Sequence, residues 1–105
     1  MARILYIVTA TLPDDPAAHE YTAWLEDGHT DEVIRGGAHS AMIVRLLPEP
    51  GADHTPRVMT QYVFATRELF DRYLERHAPG LRAEGLRRLP PERGISFQRT
   101  VGEIL

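Results

Sequence analysis

Apolar residues occupy both faces of two predicted strands. In residues 3–11 one face carries Ile4, Tyr6, Val8 and Ala10, and the other carries Leu5, Ile7, Thr9 and Thr11. Residues 58–65 likewise have apolar side chains on both faces. A strand with one solvated face should instead alternate between apolar and polar residues. Large apolar patches seldom stay exposed on a soluble monomer. The pattern therefore predicts that the second face of the sheet packs against a second copy of the chain.

Periodicity and chain breakers predict the element order β-α-β-β-α-β. Asp15 followed by Pro16 predicts a helix start, with Asp15 as the N-cap and Pro16 as the first helical residue. This helix reaches about Asp27, and Gly28 either ends it or lies within one longer helix that reaches Ile34. The remaining predicted elements are strands at 3–11, 39–47, 57–65 and 94–101, a helix capped by Thr66, an interruption at 78–80 and a short helix at 81–89.

This order suits a ferredoxin-like α+β fold, in which four antiparallel strands carry two main helices on one face. We expect a single domain over residues 1–105. The first and third strands carry the least charge, so we expect them to be central in the sheet. The prolines at 48, 50 and 56 are compatible with an outer hairpin.

Composition excludes several kinds of chemistry. The chain has no cysteine, and all 12 of its basic residues are arginine. Thiolate nucleophiles, thiolate metal sites, Schiff-base lysines and the P-loop lysine are therefore ruled out. The net charge of −3 argues against a nucleic-acid partner, and no apolar stretch approaches the roughly 20 residues of a membrane span. We expect a cytoplasmic protein with no nucleic-acid or membrane partner, no cofactor and no metal.

Charge is distributed unevenly along the chain. Residues 14–32 contain seven acidic residues and no arginine, whereas residues 67–99 contain eight arginines. Two interpretations remain open. The segments are either two solvated helix faces that attract each other, or the arginines line a pocket for an anionic ligand.

Two histidines and one tyrosine are the candidate catalytic residues. His29 is suited to acid or base chemistry near neutral pH, but it could equally close a helix end. In a continuous helix it would also share a face with Glu26 and Glu32, which is half of a carboxylate metal site. His77 ends the second predicted helix, where the helix dipole alone favours a histidine. Tyr62 is a candidate for orienting a substrate.

Aromatic and basic residues between sheet and helices are the candidate ligand contacts. Trp24 and Tyr73 lie on predicted inner helix faces, and Arg82 and Arg99 are the nearby cations. An internal pocket with a few convergent polar groups is the usual form of a ligand site. The aromatic spacing also fits an ordinary core, so both interpretations stay open. A small apolar or aromatic molecule is the expected ligand if a pocket exists.

Four segments carry a resemblance to a known group of proteins. They are residues 4–9, residues 24–25 with His29 and 32–34, residues 61–64 and, most specifically, the run Tyr73–Leu86 with its Tyr-Leu-x-x-His-Ala-Pro-x-Leu-Arg pattern. In these segments the chain resembles uncharacterised small bacterial proteins of the dimeric α/β-barrel superfamily. The resemblance implies a homodimer formed through the sheet faces and a pocket between sheet and helices. The wider superfamily includes cofactor-free quinone-forming monooxygenases, haem-degrading monooxygenases, polyketide cyclases and stress-responsive barrel proteins.

Two functional hypotheses follow. The chain is either a cofactor-independent enzyme of monooxygenase or cyclase type, acting on a small aromatic or polyketide-like molecule, or a non-catalytic dimer that binds a ligand or only assembles. A cavity on which a histidine and a tyrosine or arginine converge would favour the enzyme. A space occupied by Trp24, Phe70 and Tyr73 would favour the non-catalytic dimer.

Overall fold

A four-stranded antiparallel sheet with helices on one face forms the protein, as described over residues 2–105 of a computed structural model. The strands are β1 (Arg3–Thr11), β2 (Ser40–Leu46), β3 (Arg57–Phe64) and β4 (Ser96–Ile104), in the order β2-β3-β1-β4. The helices are α1 (Asp15–Trp24), α2 (Thr30–Arg35), α3 (Arg67–Arg76) and α4 (Ala78–Arg88), with a short 3-10 helix at Pro91–Arg93. The predicted ferredoxin-like α+β fold, its element order and its central strands β1 and β3 are confirmed.

The two faces of the sheet differ in what covers them. Tyr6 of β1 lies opposite Tyr62 of β3 and Val101 of β4, and this face packs under the helices. The other face stays open within residues 2–105. Its central side chains are half-buried and mainly apolar, and they include Leu5, Ile7, Met59, Gln61 and Val63. The two-sided apolar pattern of the strands thus places an uncovered apolar face on this chain.

The first helix begins one residue earlier than the sequence predicts. Asp14, and not Asp15, is the N-cap: its backbone is extended and its side chain accepts a hydrogen bond from the Ala17 backbone N–H at 2.9 Å. Pro16 then falls in the first turn, where its missing N–H costs nothing. Two consecutive aspartates made either residue a plausible cap. The predicted Thr66 cap of α3 is confirmed, because its hydroxyl accepts from the Leu69 N–H at 3.2 Å.

A wide turn at residues 25–29 separates α1 from α2. Asp27 leaves helical geometry, and Gly28 has a φ of 111°, a backbone conformation that favours glycine. The alternative of one continuous helix through Gly28 is therefore wrong. The turn brings His29 back against Trp24. The regular i, i+3, i+6 alignment of Glu26, His29 and Glu32 is also lost.

The second helical segment breaks at His77 and not at the predicted interruption. Ala78 already belongs to α4, and Pro79 lies in its first turn, where proline is favoured. His77 sits at the junction, close to Gly36 at the end of α2. A Cβ atom on Gly36 would lie 3.0 Å from both His77 Cγ and Tyr73 Cδ1. A larger residue at this position would have to displace the Tyr73 or His77 side chain by a few tenths of an ångström.

Two groups of buried side chains form the core under the helices. The first joins Tyr6, Tyr62 and Phe64 of the sheet to Phe70 and Tyr73 of α3. The second joins the far end of the sheet to α1 and α4 through residues such as Tyr21, Leu25 and Leu89. Thr60 is the one buried polar residue named in the core of residues 2–105. Within residues 2–105, no helix has the length and apolar character needed to cross a membrane.

Candidate functional site: an aromatic cavity between sheet and helices

A cavity of about 230 Å³ lies between the helical layer and the sheet. All four tyrosines of the chain and its one tryptophan line it. Its walls come from both core groups, so it occupies the seam between them. The lining residues are Tyr6, Val8, Tyr21, Trp24, His29, Thr60, Tyr62, Tyr73, Leu81, Arg82, Gly85, Leu86, Leu89, Phe97 and Arg99.

Aromatic rings contact each other around the cavity. The Tyr6 ring centroid is 6.1 Å from that of Tyr62 and 6.2 Å from that of Tyr73. On the opposite wall, the centroids of Tyr21 and Trp24 are 6.0 Å apart. These separations lie in the range at which aromatic pairs stabilise one another. The rings therefore support each other as walls around a space of aromatic character.

His29 stacks on Trp24 at one end of the cavity. Their ring centroids are 4.0 Å apart and their planes differ by 25°. Burial lowers the pKa of His29 from 6.5 to about 4, and the nearby Glu32 carboxylate only partly opposes this effect. The imidazole is therefore neutral at pH 7. In that state one of its nitrogens can accept a proton or a hydrogen bond.

The tyrosine hydroxyls are held in their protonated form. Burial raises the pKa of Tyr21 to about 12 and raises the pKa values of Tyr62 and Tyr73 well above the ordinary value. Hydrogen bonding to Thr60 offsets part of this effect at Tyr21 and Tyr62. Thr60 itself donates to the Val8 carbonyl at 3.4 Å. At neutral pH these phenols can act as hydrogen-bond donors toward a ligand.

Two arginines stand at the rim of the cavity. Arg82 of α4 donates a hydrogen bond to the Tyr6 hydroxyl at 3.1 Å. Arg99 of β4 places its guanidinium carbon 5.7 Å from the centroid of the Phe97 ring. Neither forms an ion pair within the part of the chain that the structure describes. Both residues are exposed, so they lie where the cavity opens to solvent.

An acidic groove adjoins the cavity. It shares Trp24, His29, Leu81 and Leu89 with the cavity. Its charged residues are Glu20, Asp27, Glu32, Glu84 and Arg88. Glu84 pairs with Arg88, and Glu20 pairs with Arg93 across the two helical segments. The Glu20–Arg93 pair joins the acidic and basic segments of the sequence, and Glu32 of the groove pairs with Arg35.

The structure gathers six of the seven predicted site residues around the cavity. His29, Tyr62, Trp24, Tyr73, Arg82 and Arg99 all line it. His77 lies outside: its ring is exposed and lies 6.5 Å, centroid to centroid, from the Tyr73 ring. The helix junction turns this imidazole toward Gly36, so Tyr73 separates it from the cavity. His77 has no place in the site proposed below.

Several lining residues were not among the predicted site residues. Tyr21 is one of them, and nothing in its helical spacing marks it as a cavity residue. Thr60 is recognisable afterwards, because it is the one aliphatic polar side chain on the inner face of β3, beside Val58, Tyr62 and Phe64. Nothing in the sequence marks Gly85 as a cavity residue, because its role depends on the position of Trp24 in the folded chain. Within residues 2–105, no group of three or more His, Cys, Asp or Glu side chains is arranged to hold a metal ion.

Solved structures with the same fold cover nearly the whole chain. A dimeric ferredoxin-like protein from an uncultured marine organism matches with a TM-score of 0.79 and 14% identity, over 100% of this chain and 97% of the other. A protein of the "ethyl tert-butyl ether d (ethd)" family from Bacillus halodurans C-125 matches with a TM-score of 0.74 and 12% identity, over 100% of both chains. A variant of SnoaB, a cofactor-independent oxygenase from Streptomyces nogalater, matches with a TM-score of 0.65 and 15% identity, over 95% of this chain and 90% of the other. At these identities the likeness shows the fold alone.

One protein family matches almost the whole length of the chain. A search of curated proteins gave no match. One family does match, over residues 3–104, and its description agrees with the predicted membership of an uncharacterised family with this fold. The chain belongs to the family described as Domain of unknown function (DUF4286).

Proposed function

We propose that this chain forms a homodimer and that its cavity binds a small aromatic or polyketide-like molecule, from which His29 removes a proton. One observation carries the proposal. A cavity of about 230 Å³ is lined by all four tyrosines, the one tryptophan and a neutral histidine. A largely apolar pocket with a few convergent polar groups is the usual form of a ligand site.

The size and walls of the cavity define the ligand. An apolar protein cavity of roughly 150 Å³ is large enough to bind benzene, so about 230 Å³ accommodates a substituted ring. Trp24 and the tyrosines offer ring faces for stacking. The Tyr62 hydroxyl, kept protonated by burial, is available to donate a hydrogen bond to a ligand oxygen. These features favour a flat molecule with at least one polar oxygen.

The low pKa of His29 limits the substrates it can deprotonate. A simple phenol has a pKa of about 10, about six units above that of His29. Each unit corresponds to about 1.4 kcal/mol, so complete transfer from a simple phenol is about 8 kcal/mol uphill. Substrates with more acidic protons, such as polyhydroxylated aromatics or 1,3-dicarbonyl compounds, fit better. Arg99 and Tyr62 would stabilise the resulting anion.

Two reactions share this first step. In the oxygenase reaction the deprotonated ring reacts with O₂, one oxygen atom stays on the ring as a carbonyl, and the other leaves as water. A phenol and O₂ then give a quinone and water, and the substrate supplies all the electrons. In the cyclase reaction an enolate carbon attacks a carbonyl of the same molecule and water is lost. The fold likeness to a cofactor-independent oxygenase supports the first reaction.

Binding without catalysis is the second candidate function. A pKa of about 4 makes His29 a weak base, and its stacking on Trp24 covers one face of the ring. In that case the cavity would hold its ligand through stacking and hydrogen bonds alone. Both candidate functions predict ligand binding, so catalytic turnover is the property that distinguishes them.

The open face of the sheet supports the homodimer. Its centre is apolar in β1, β2 and β3, and Met42 of β2 is 57% exposed. Gln61 and Gln98 lie on this same face, through their pairing with Ile7 and Thr9. Stable dimers bury apolar centres flanked by polar groups of this kind. Structures with the same fold include proteins described as dimeric.

The test compares binding and turnover in matched histidine variants. Small polyphenols and 1,3-dicarbonyl aromatics are screened for binding by calorimetry, and every binder is then assayed for O₂ uptake and for absorbance change under nitrogen. We expect His29→Gln to lower turnover at least a hundredfold, the usual range for a lost general base, with binding changed only a few-fold. His19→Gln is the control, because His19 is an exposed residue of α1.

Three outcomes separate the hypotheses. Turnover lost in His29→Gln and kept in His19→Gln supports the enzyme. Binding without turnover in the wild-type protein supports the non-catalytic dimer. Turnover that His29→Gln leaves unchanged contradicts the role of His29.

A further inference from the structure

We propose that the ligand of this cavity is an aromatic carboxylate, inserted ring first, whose carboxylate lies at the rim between Arg82 and Arg99. The inference deepens the proposed function, because it names the class of molecule and its orientation in the same cavity. It rests on the two arginines and on the distribution of charge around the cavity.

Arg82 stands apart from the other arginines of its helix. Arg87 and Arg88 of α4 both pair with Glu84. Arg82 instead reaches over the cavity to the neutral hydroxyl of Tyr6. A guanidinium has five N–H donors. One hydrogen bond to a phenol leaves most of these donors unused and does not balance the positive charge.

Arg99 has a similar environment on the sheet. It lies on the helix-facing side of β4, opposite Val8. The nearest charged residue on the same face of β4 is Glu103, and the two form no ion pair. The contact described for the Arg99 guanidinium is the ring of Phe97. In residues 2–105, therefore, both cations beside the cavity lack an acidic partner.

The charges of both guanidiniums reach Tyr73 in the cavity wall. Burial dominates the pKa of Tyr73 and raises it, but the charges of Arg82 and Arg99 both act to lower it. The positive charges of both arginines therefore act on the same tyrosine. A carboxylate placed beside this tyrosine would be within the field of both cations, and planar guanidinium groups bind carboxylates through paired hydrogen bonds.

The lining of the cavity itself favours an anion, because it contains Arg82 and Arg99 and no carboxylate. The adjoining groove beside His29 is lined by four carboxylates and one arginine, and three of these carboxylates are paired with arginines. An acid therefore enters from the arginine rim, with its ring directed toward Trp24 and His29. This orientation places any ring hydroxyl opposite the carboxylate at the neutral imidazole, where the proposed proton transfer takes place.

Two probes of equal shape and different charge test the inference. Binding of 4-hydroxybenzoate and 4-hydroxybenzamide to the wild-type protein is measured by calorimetry at low and high salt. We expect the acid to bind at least about tenfold more tightly, the factor that one charge-assisted hydrogen bond supplies. The preference should shrink at high salt, because the rim is partly exposed.

Arginine variants locate the effect. Arg82→Gln and Arg99→Gln should each weaken binding of the acid by about tenfold and change binding of the amide by less than about threefold. Arg72→Gln is the control, because Arg72 is an exposed residue of α3 that does not line the cavity. Thermal melting of each variant shows that it is folded.

The outcomes distinguish this inference from the proposed function. Equal affinity for acid and amide would overturn the carboxylate assignment and leave the aromatic cavity intact. A preference for the acid that survives both arginine variants would also overturn the assignment. Failure of both probes to bind at millimolar concentration would contradict the proposed function as well.

Discussion

Gly85 of α4 faces the indole of Trp24 so closely that a Cβ atom at this position would lie 3.3 Å from Cη2 of the ring. Both residues line the cavity. The missing side chain of Gly85 therefore leaves part of the cavity's width available to a ligand. A bulkier residue has to displace Trp24 or occupy that space.

Gly85→Leu should block ligand binding without unfolding the protein. Leucine is a far better helix former than glycine, by about 0.8 kcal/mol, which offsets part of the crowding against Trp24. Gly80→Leu is the matched control on the same helix, because a Cβ atom at Gly80 would meet nothing within 4 Å. Calorimetry with any ligand of the wild-type protein should show binding to Gly80→Leu and none to Gly85→Leu. Equal binding by both variants would show that the ligand lies elsewhere.

Stability should depend on pH through His29. The unfolded chain takes up a proton on this residue near pH 6.5, whereas burial delays uptake in the folded protein to about pH 4. The unfolded state then binds more protons between these values, so stability is complete above pH 6.5 and falls as the pH drops toward 4. We expect a loss of about 2–3 kcal/mol from this residue.

Chemical denaturation between pH 8 and pH 4 measures this loss. His29→Gln should reduce the change in the free energy of unfolding over this pH range, whatever the stability of the variant at pH 8. A variant that loses stability with falling pH as steeply as the wild-type protein would contradict the assigned pKa.

The start of α1 can be tested with two neighbouring aspartates. Asp14→Ala removes the side chain that accepts from the Ala17 N–H and should lower the free energy of unfolding by about 1 kcal/mol. Asp15→Ala removes only a first-turn charge and an exposed 3.5 Å ion pair with Arg45, so a few tenths of a kcal/mol are expected. Urea denaturation of both variants measures the difference. The reverse order of effects would restore Asp15 as the cap.

The open sheet face should hold the dimer together. Ile7 is at the centre of this face on β1 and pairs with Gln61 of β3. Ile7→Glu would bury a charge in the proposed interface and should yield a folded monomer, because an unpaired buried charge is costly. His19→Glu, on the exposed side of α1, should stay dimeric. Light scattering at micromolar concentration decides the point: a monomeric wild-type protein, or a dimeric Ile7→Glu, would refute the proposed interface.

Much of the fold could be predicted because local patterns and tertiary packing agree. Strand 3–11 was predicted to the residue, since its apolar run is bounded by turn residues on one side. The central position of β1 and β3 followed from their low charge. Boundaries failed where neighbouring residues offer equal chemistry, as Asp14 and Asp15 do. They also failed at His77, where Pro79 begins α4 instead of interrupting the helix.

The site was harder to predict than the fold. Residue type identified His29, Trp24 and the two arginines as candidates, because imidazole, indole and guanidinium groups have characteristic chemistry. Spacing alone could not separate His29 from His77, since each follows a helix of similar pattern. The wide turn at Gly28 decides between them by folding His29 back onto Trp24. Distances across the cavity, such as that from Gly85 to Trp24, depend on packing between elements far apart in sequence.

The central claim is that the cavity binds a small aromatic molecule, and Trp24 reports on it directly. Trp24 is the only tryptophan of the chain and forms part of the cavity wall, so its emission is a specific probe of this site. The decisive measurement is a titration of tryptophan emission with a panel of small phenols and aromatic acids, carried out on the wild-type protein and on Gly85→Leu. We predict a saturable change for at least one compound in the wild-type protein and none in Gly85→Leu. A panel that produces no saturable change in the wild-type protein, or the same change in both proteins, would contradict the account.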